Sequence, residues 1–172
     1  IEQITNRAQV ARGSFYTYFK SKSEIIVDRF WEIDGYYRRY ARNLSRYNGA
    51  AEKLLAFTRA QMRYIRDVIG NENLKVLYAN QAFEPGSNKV IVSRSRAWYT
   101  IITTIMAEGQ ENGEFRADVT PDELADWFNR TMRSVFLDWC ITSGIEFDLV
   151  REGLDFCTRW VFGAVRADAP TN

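Results

Sequence analysis

The side chains best suited to chemistry in this chain lie close to its start, where Arg12, Gly13, Ser14, Tyr16, Thr17, Tyr18 and Lys22 fall within residues 12–22. Small residues, hydroxyls and cations on one short helix suit contact with a polyanion. Such a helix fits a DNA major groove, its N-terminal residues at base edges and its cations and hydroxyls on phosphates. Phe15 and Phe19, four apart, supply the apolar stripe that seats the helix, leaving Arg12, Ser14, Thr17 and Tyr18 to point outward. Gly13 near the helix start sacrifices roughly 1 kcal/mol of helix propensity relative to alanine, which points to a close approach of DNA backbone.

Residues 7–24 read as a short helix, a tight turn and a second helix. Ile4, Ala8 and Val10 are expected to face inward. Ser21-Lys22-Ser23-Glu24 reads as a capping box opening a further helix, and Lys22 in its first turn calls for a nearby anion such as a phosphate.

In order, Ile4, Ala8, Val10, Gly13, Ser14, Phe15, Tyr16, Tyr18, Phe19, Ser21, Lys22 and Glu24 match the pattern Ile-Ala-x-x-Ala-Gly-Val-Ser-x-Gly-Ser/Thr-Phe-Tyr-x-Tyr-Phe-x-Ser-Lys-x-Glu. This stretch resembles the DNA-reading half of the tetracycline-repressor (TetR) family. There are three departures. Gln9 stands where the pattern has glycine in the turn, Ala11 replaces the serine or threonine cap of the reading helix, and Thr5 replaces an alanine.

The resemblance implies a homodimer that reads a palindromic operator in double-stranded DNA, and a small-molecule effector held in the helical body. It implies repression rather than activation. Carried over by position, Arg12, Gly13 and Ser14 lie at the groove entrance, Tyr16 and Lys22 on phosphates, and Thr17 and Tyr18 near bases or backbone. The family also has a helix before this point, so the 172 residues are expected to be part of a longer protein.

Composition narrows the remaining choices. At 46% apolar residues the chain can bury a core without disulfides, and its two cysteines, Cys140 and Cys157, sit beside Trp139 and Phe156 as packing residues. The expected setting is cytoplasmic, with no membrane span, metal or cofactor. There is no histidine, so the commonest general base and metal ligand is missing, and no glycine-rich phosphate loop appears. An enzyme is not expected. Net charge is +1 but unevenly placed: residues 1–48 hold nine Lys/Arg against five Asp/Glu, and the remainder is mildly acidic. One basic end suits a protein that meets DNA there. The competing reading is a helical carrier or interaction module without DNA binding, which would have no physical reason to keep Tyr16, Tyr18 and Lys22.

Gly, Pro and Asn punctuation cuts the rest into helices, and the expected fold is all-α: a helix-turn-helix part, residues 1–30, and a larger effector-binding and dimerisation bundle, residues 31–172. Helices are expected over 23–47, 50–68, 72–83, 88–111, 121–143 and 147–165. Thr120-Pro121-Asp122-Glu123 is a strong start signal. The last two helices carry apolar stripes too wide for one partner, so Val135, Trp139, Val150, Leu154, Cys157 and Val161 are expected at a two-fold dimer interface. Aromatic and polar residues of the body, Tyr64, Tyr78, Trp98, Phe128 and Asn129, are candidates for a small, largely apolar effector.

Overall fold

The computed structural model describes all residues except 20–23, 26, 27, 29, 84–88 and 168–172. The chain is all-α. Two short helices open it, α1 (Glu2–Arg7) and α2 (Arg12–Tyr18). The body follows with α3 (Glu32–Ala41), α4 (Ala50–Tyr64), α5 (Asn71–Phe83), α6 (Ala97–Glu111), α7 (Pro121–Ile141), α8 (Arg151–Phe156) and α9 (Phe162–Val165). A π-helical turn, Ile65–Ile69, extends α4, and another, Cys157–Val161, joins α8 to α9. Among the described residues the nearest approach to a strand is an isolated bridge between Phe115 and Arg166.

The body's core is one continuous cluster running from Phe30 to Val165, with Phe57, Leu54, Met62, Leu77, Met106 and Phe128 essentially sealed from solvent. Phe15, buried between the short N-terminal helices, lies outside that cluster. Helix α7 packs along α6 and also touches α5. At the far end, Gly153 brings α8 against two other helices: a Cβ there would meet Met62 Cε at 3.0 Å and Val135 Cγ1 at 3.3 Å.

Several helix ends are set locally. Thr120 accepts from the Glu123 N–H at 3.2 Å while the Glu123 carboxylate accepts from the Thr120 N–H at 2.9 Å, the reciprocal cap expected ahead of Pro121. Gly70 and Gly113 leave α4 and α6 with φ of 78° and 71°, backbone that glycine adopts without side-chain conflict.

Others are set across the fold. The Glu114 carboxylate accepts from the N–H groups of Ala50 and Ala51 at 2.8 and 3.0 Å, capping α4 from another part of the chain. Asp34 of α3 does the same for α6, accepting from the Ala97 N–H at 3.2 Å. For this reason the helix expected over 88–111 is divided. Val90–Val92 forms a 3-10 turn, Arg96 is extended (φ −68°, ψ 140°) with its guanidinium turned into the core, and the α-helix begins only at Ala97. The helix expected to reach Tyr47 likewise ends as α at Ala41 and finishes in the 3-10 turn Leu44–Arg46.

Candidate functional site

The N-terminal pair meets across the turn Ala8–Ala11. The Ala8 N–H donates to Ile4 O at 2.9 Å and the Val10 N–H to Thr5 O at 3.0 Å. Gln9 has φ 54°, in the left-handed region that costs a residue with a Cβ roughly 1–2 kcal/mol. This explains why glycine suits that position of the motif. Thr5 is buried, and its hydroxyl donates back to Glu2 O at 3.1 Å, so the polar replacement is satisfied inside its own helix. Ala11 occupies the cap of α2 with extended backbone and offers no side-chain acceptor; the Ser14 N–H closes onto Ala11 O at 2.9 Å.

Phe15 faces inward, its ring centroid 5.6 Å from that of Phe19 and 5.4 Å from that of Tyr16. Arg12, Gly13, Ser14, Tyr16, Thr17 and Tyr18 are all exposed on α2. A Cβ at Gly13 would meet nothing within 4 Å, so the chain's own packing does not demand glycine there. Lys22 and the expected Ser21–Glu24 capping box rest on residues outside the described set. One expectation is corrected. Ile4 (36% exposed), Val10 (47%) and Ala8 are turned to solvent, and Thr5 is the buried residue of α1.

In the body, a cavity of about 50 Å³ lies between α3, α4, α5, α6 and α7. Its apolar wall is part aromatic, with Phe30, Tyr37, Tyr78, Trp98, Tyr99 and Phe136, and part aliphatic, from Ile65 to Ile91. Its polar wall is Gln61, Arg96, Asn129 and Arg133. Asn129 Nδ2 donates to the Tyr99 hydroxyl, and the Tyr78 hydroxyl donates to Arg133 O at 3.3 Å. Burial pushes the phenols of Tyr37 and Tyr78 well above their ordinary range, so both are neutral donors at physiological pH. Arg96 is held by Asp34, with Nε donating to the two carboxylate oxygens at 2.8 and 2.9 Å and Nη2 lying 2.7 Å from Oδ1. The rings of Phe30 and Trp31 flank the same guanidinium, their centroids 4.9 and 5.2 Å from its carbon.

Of the five effector candidates, Tyr78, Trp98 and Asn129 line this cavity. Two do not. Tyr64 stacks on Tyr36 with centroids 4.4 Å apart, and Phe128 lies behind Trp98, nearly parallel at 6.0 Å, as buried core. Sequence reasoning missed Arg96 and Arg133 because an arginine within a helical pattern reads as surface. A cue was present in Asp34, an acid on the inward side of its helix between Ile33 and Tyr37.

The six residues expected at a dimer interface lie on the inner side of their helices. Val135, Trp139, Leu154, Cys157 and Val161 are buried within the subunit, and Val150 packs against the same core. Cys157 Sγ, for example, sits 3.7 Å from Met132 Sδ. The wide stripe does have two sides, but the side named is the one already covered. Facing solvent on the same helices are Trp127, Leu137 and Ile141 on α7, and Phe156 and Trp160 before α9. Trp127, Leu137 and Ile141 fall on one helical face by their spacing of ten and four.

A bundle of helices that presents an exposed, hydroxyl- and arginine-bearing helix after a tight turn is a helix-turn-helix protein. Residues 1–28 match the family model of bacterial regulatory proteins, tetR family. That match falls on the helix-turn-helix segment and supports a DNA-binding transcription regulator. No curated protein and no solved structure matches it. Among the described residues no helix is long and apolar enough to cross a membrane, and no three His, Cys, Asp or Glu side chains are grouped to hold a metal ion.

Proposed function

We propose that this chain is a homodimeric, cytoplasmic repressor that reads a palindromic operator through residues 1–30 and is released when a small effector enters the cavity of residues 31–172. The observation that carries the reading is the exposure of Arg12, Ser14, Tyr16, Thr17 and Tyr18 together on α2, seated by the buried Phe15. Arg12, Gly13 and Ser14 meet the groove, Tyr16 and Lys22 hold phosphates, and Thr17 and Tyr18 lie near bases or backbone. Helices α7 to α9 pair with a second copy through Trp127, Leu137, Ile141, Phe156 and Trp160.

Regulation follows from one shared wall. Phe30 and Arg96 border the cavity, and Arg96 is tied to Asp34 in the first turn of α3, the helix that leaves the DNA-reading part. An effector that fits better with one tilt of that turn shifts the spacing of the two reading helices in the dimer. An indifferent one changes nothing. Coupling of this kind is typically worth ~1–3 kcal/mol.

The test is anisotropy of labelled DNA from beside the protein's own gene, at two salt concentrations, against scrambled duplex. Binding that prefers the native sequence and falls steeply with salt supports the reading. Equal binding to both duplexes, or none, favours a helical carrier.

A further inference from the structure

We infer that the cavity takes a small carboxylate, held by the Arg133 guanidinium and the Trp98 indole N–H. This deepens the effector reading above and rests on it. Three side-chain atoms on residues of the cavity wall are buried and have no hydrogen-bond partner: Gln61 Oε1, Trp98 Nε1 and Arg133 Nη1. Buried polar atoms in folded proteins are nearly always paired, and three unpaired ones around a single space set out a pattern of two donors and one acceptor. Trp98 and Gln61 are themselves 5% and 7% exposed, so bulk water does not bathe them.

Charge fixes the sign of the ligand. Two guanidiniums border the cavity, and they differ. Arg96 is neutralised by Asp34 and also donates from Nη1 to Val90 O at 3.2 Å. Arg133 has no carboxylate partner among the described residues. A cation with a buried, unpaired N–H group attracts a counter-charge, and an ammonium ligand would be repelled by it. Trp98 Nε1 is only a donor, so it too calls for an acceptor. Gln61 Oε1 is left to receive a hydroxyl or N–H on the far side of the ligand.

Size fixes the rest. By the measure that makes the cavity about 50 Å³, one water needs roughly 10–15 Å³. The space is about a third of the roughly 150 Å³ that admits benzene, so it suits a ligand of a few non-hydrogen atoms rather than a ring.

The test titrates the full chain with acetate, glycolate and propionate, each beside its amide, following tryptophan fluorescence and thermal shift at neutral pH. At least one acid is expected to bind about tenfold or more tightly than its amide, as fits a charge-assisted contact. Arg133→Met is expected to remove that preference, and Arg133→Lys, which keeps the charge, to retain part of it. Should Arg133→Met not fold, the acid-to-amide ratio in the unaltered chain and in Arg133→Lys decides. Amides that bind as well as acids, with no effect of Arg133, overturn the acid and leave the cavity as an effector site. No response to any probe overturns the acid and counts against the cavity as well.

Discussion

Asp34 and Arg96 form a buried, bidentate ion pair, each side chain about 5% exposed, in which the same carboxylate also receives the backbone N–H of Ala97. One acid thus neutralises a core cation and caps α6. The pair joins the first turn of α3 to the start of α6 at the edge of the cavity, where the rings of Phe30 and Trp31 enclose the guanidinium. Burying two charges brings a desolvation cost close to their attraction, so such a pair contributes more to geometry than to net stability.

Removing one partner is expected to be far worse than removing both. Asp34→Asn leaves a buried guanidinium without a counter-charge and should cost ~3–5 kcal/mol. The double change Asp34→Leu with Arg96→Met should cost clearly less. Urea denaturation of the three variants checks this, and an additive result would show that the two sites are not coupled.

The turn of the N-terminal pair is less favourable than its fold allows. Gln9→Gly should relieve the left-handed backbone and stabilise the pair by about 0.5–1 kcal/mol. Ala11→Ser should supply the absent cap acceptor and add about 1 kcal/mol. Hydrogen exchange of the amides in residues 4–19 reads both effects locally. Slower exchange is expected in each variant.

Gly109 is required by its neighbour. A Cβ there would lie 2.1 Å from the Phe115 ring, a contact no side chain tolerates without movement. Phe115 is fully buried and is drawn in by its N–H bond to Gly109 O at 3.0 Å. Gly109→Ala should therefore lower stability by ~1–3 kcal/mol by overpacking. A thermal midpoint equal to that of the unaltered chain would contradict the contact.

The exposed stripe distinguishes a dimer from a monomer. Trp160 (72% exposed) and Ile141 (73%) make no use of their apolar surface within the subunit. If the proposed dimer pairs through this stripe, Trp160→Glu and Ile141→Glu should shift sedimentation toward monomer and weaken DNA binding, while far-UV circular dichroism stays unchanged. Cys157→Ala should instead lower stability, since that side chain is core.

The two thiols give a pH signature. Burial pushes Cys140 up to about 11 and Cys157 up to about 12, from an ordinary value of 9.0. The folded state disfavours the thiolate, so this contribution to stability is complete below pH 9 and is lost as pH rises toward 11–12. Neither cysteine should react with iodoacetamide at pH 8 in the native protein. Both should react once urea unfolds it.

Features governed by near neighbours were legible in the residues alone. The Thr120–Glu123 cap, the glycine ends at Gly70 and Gly113, and the seating of α2 on Phe15 depend on contacts a few positions apart, and spacing reports those directly. The strain at Gln9 was visible as a departure from a glycine position. The family match over residues 1–28 falls on the same local pattern.

The tertiary structure decided what depends on distant partners. Periodicity showed that the last helices carry two apolar sides, but not that Val150, Leu154, Cys157 and Val161 pack inward while Phe156 and Trp160 face out. Composition showed many aromatics, but only the packing separated Tyr78 and Trp98, on the cavity, from Tyr64 and Phe128, which stack elsewhere. The helix expected from residue 88 starts only after Arg96 because Asp34, 62 residues before it, receives both the Arg96 guanidinium and the next backbone N–H. A local pattern records which groups a residue carries; which distant charge answers a buried one is set only when the helices close around it.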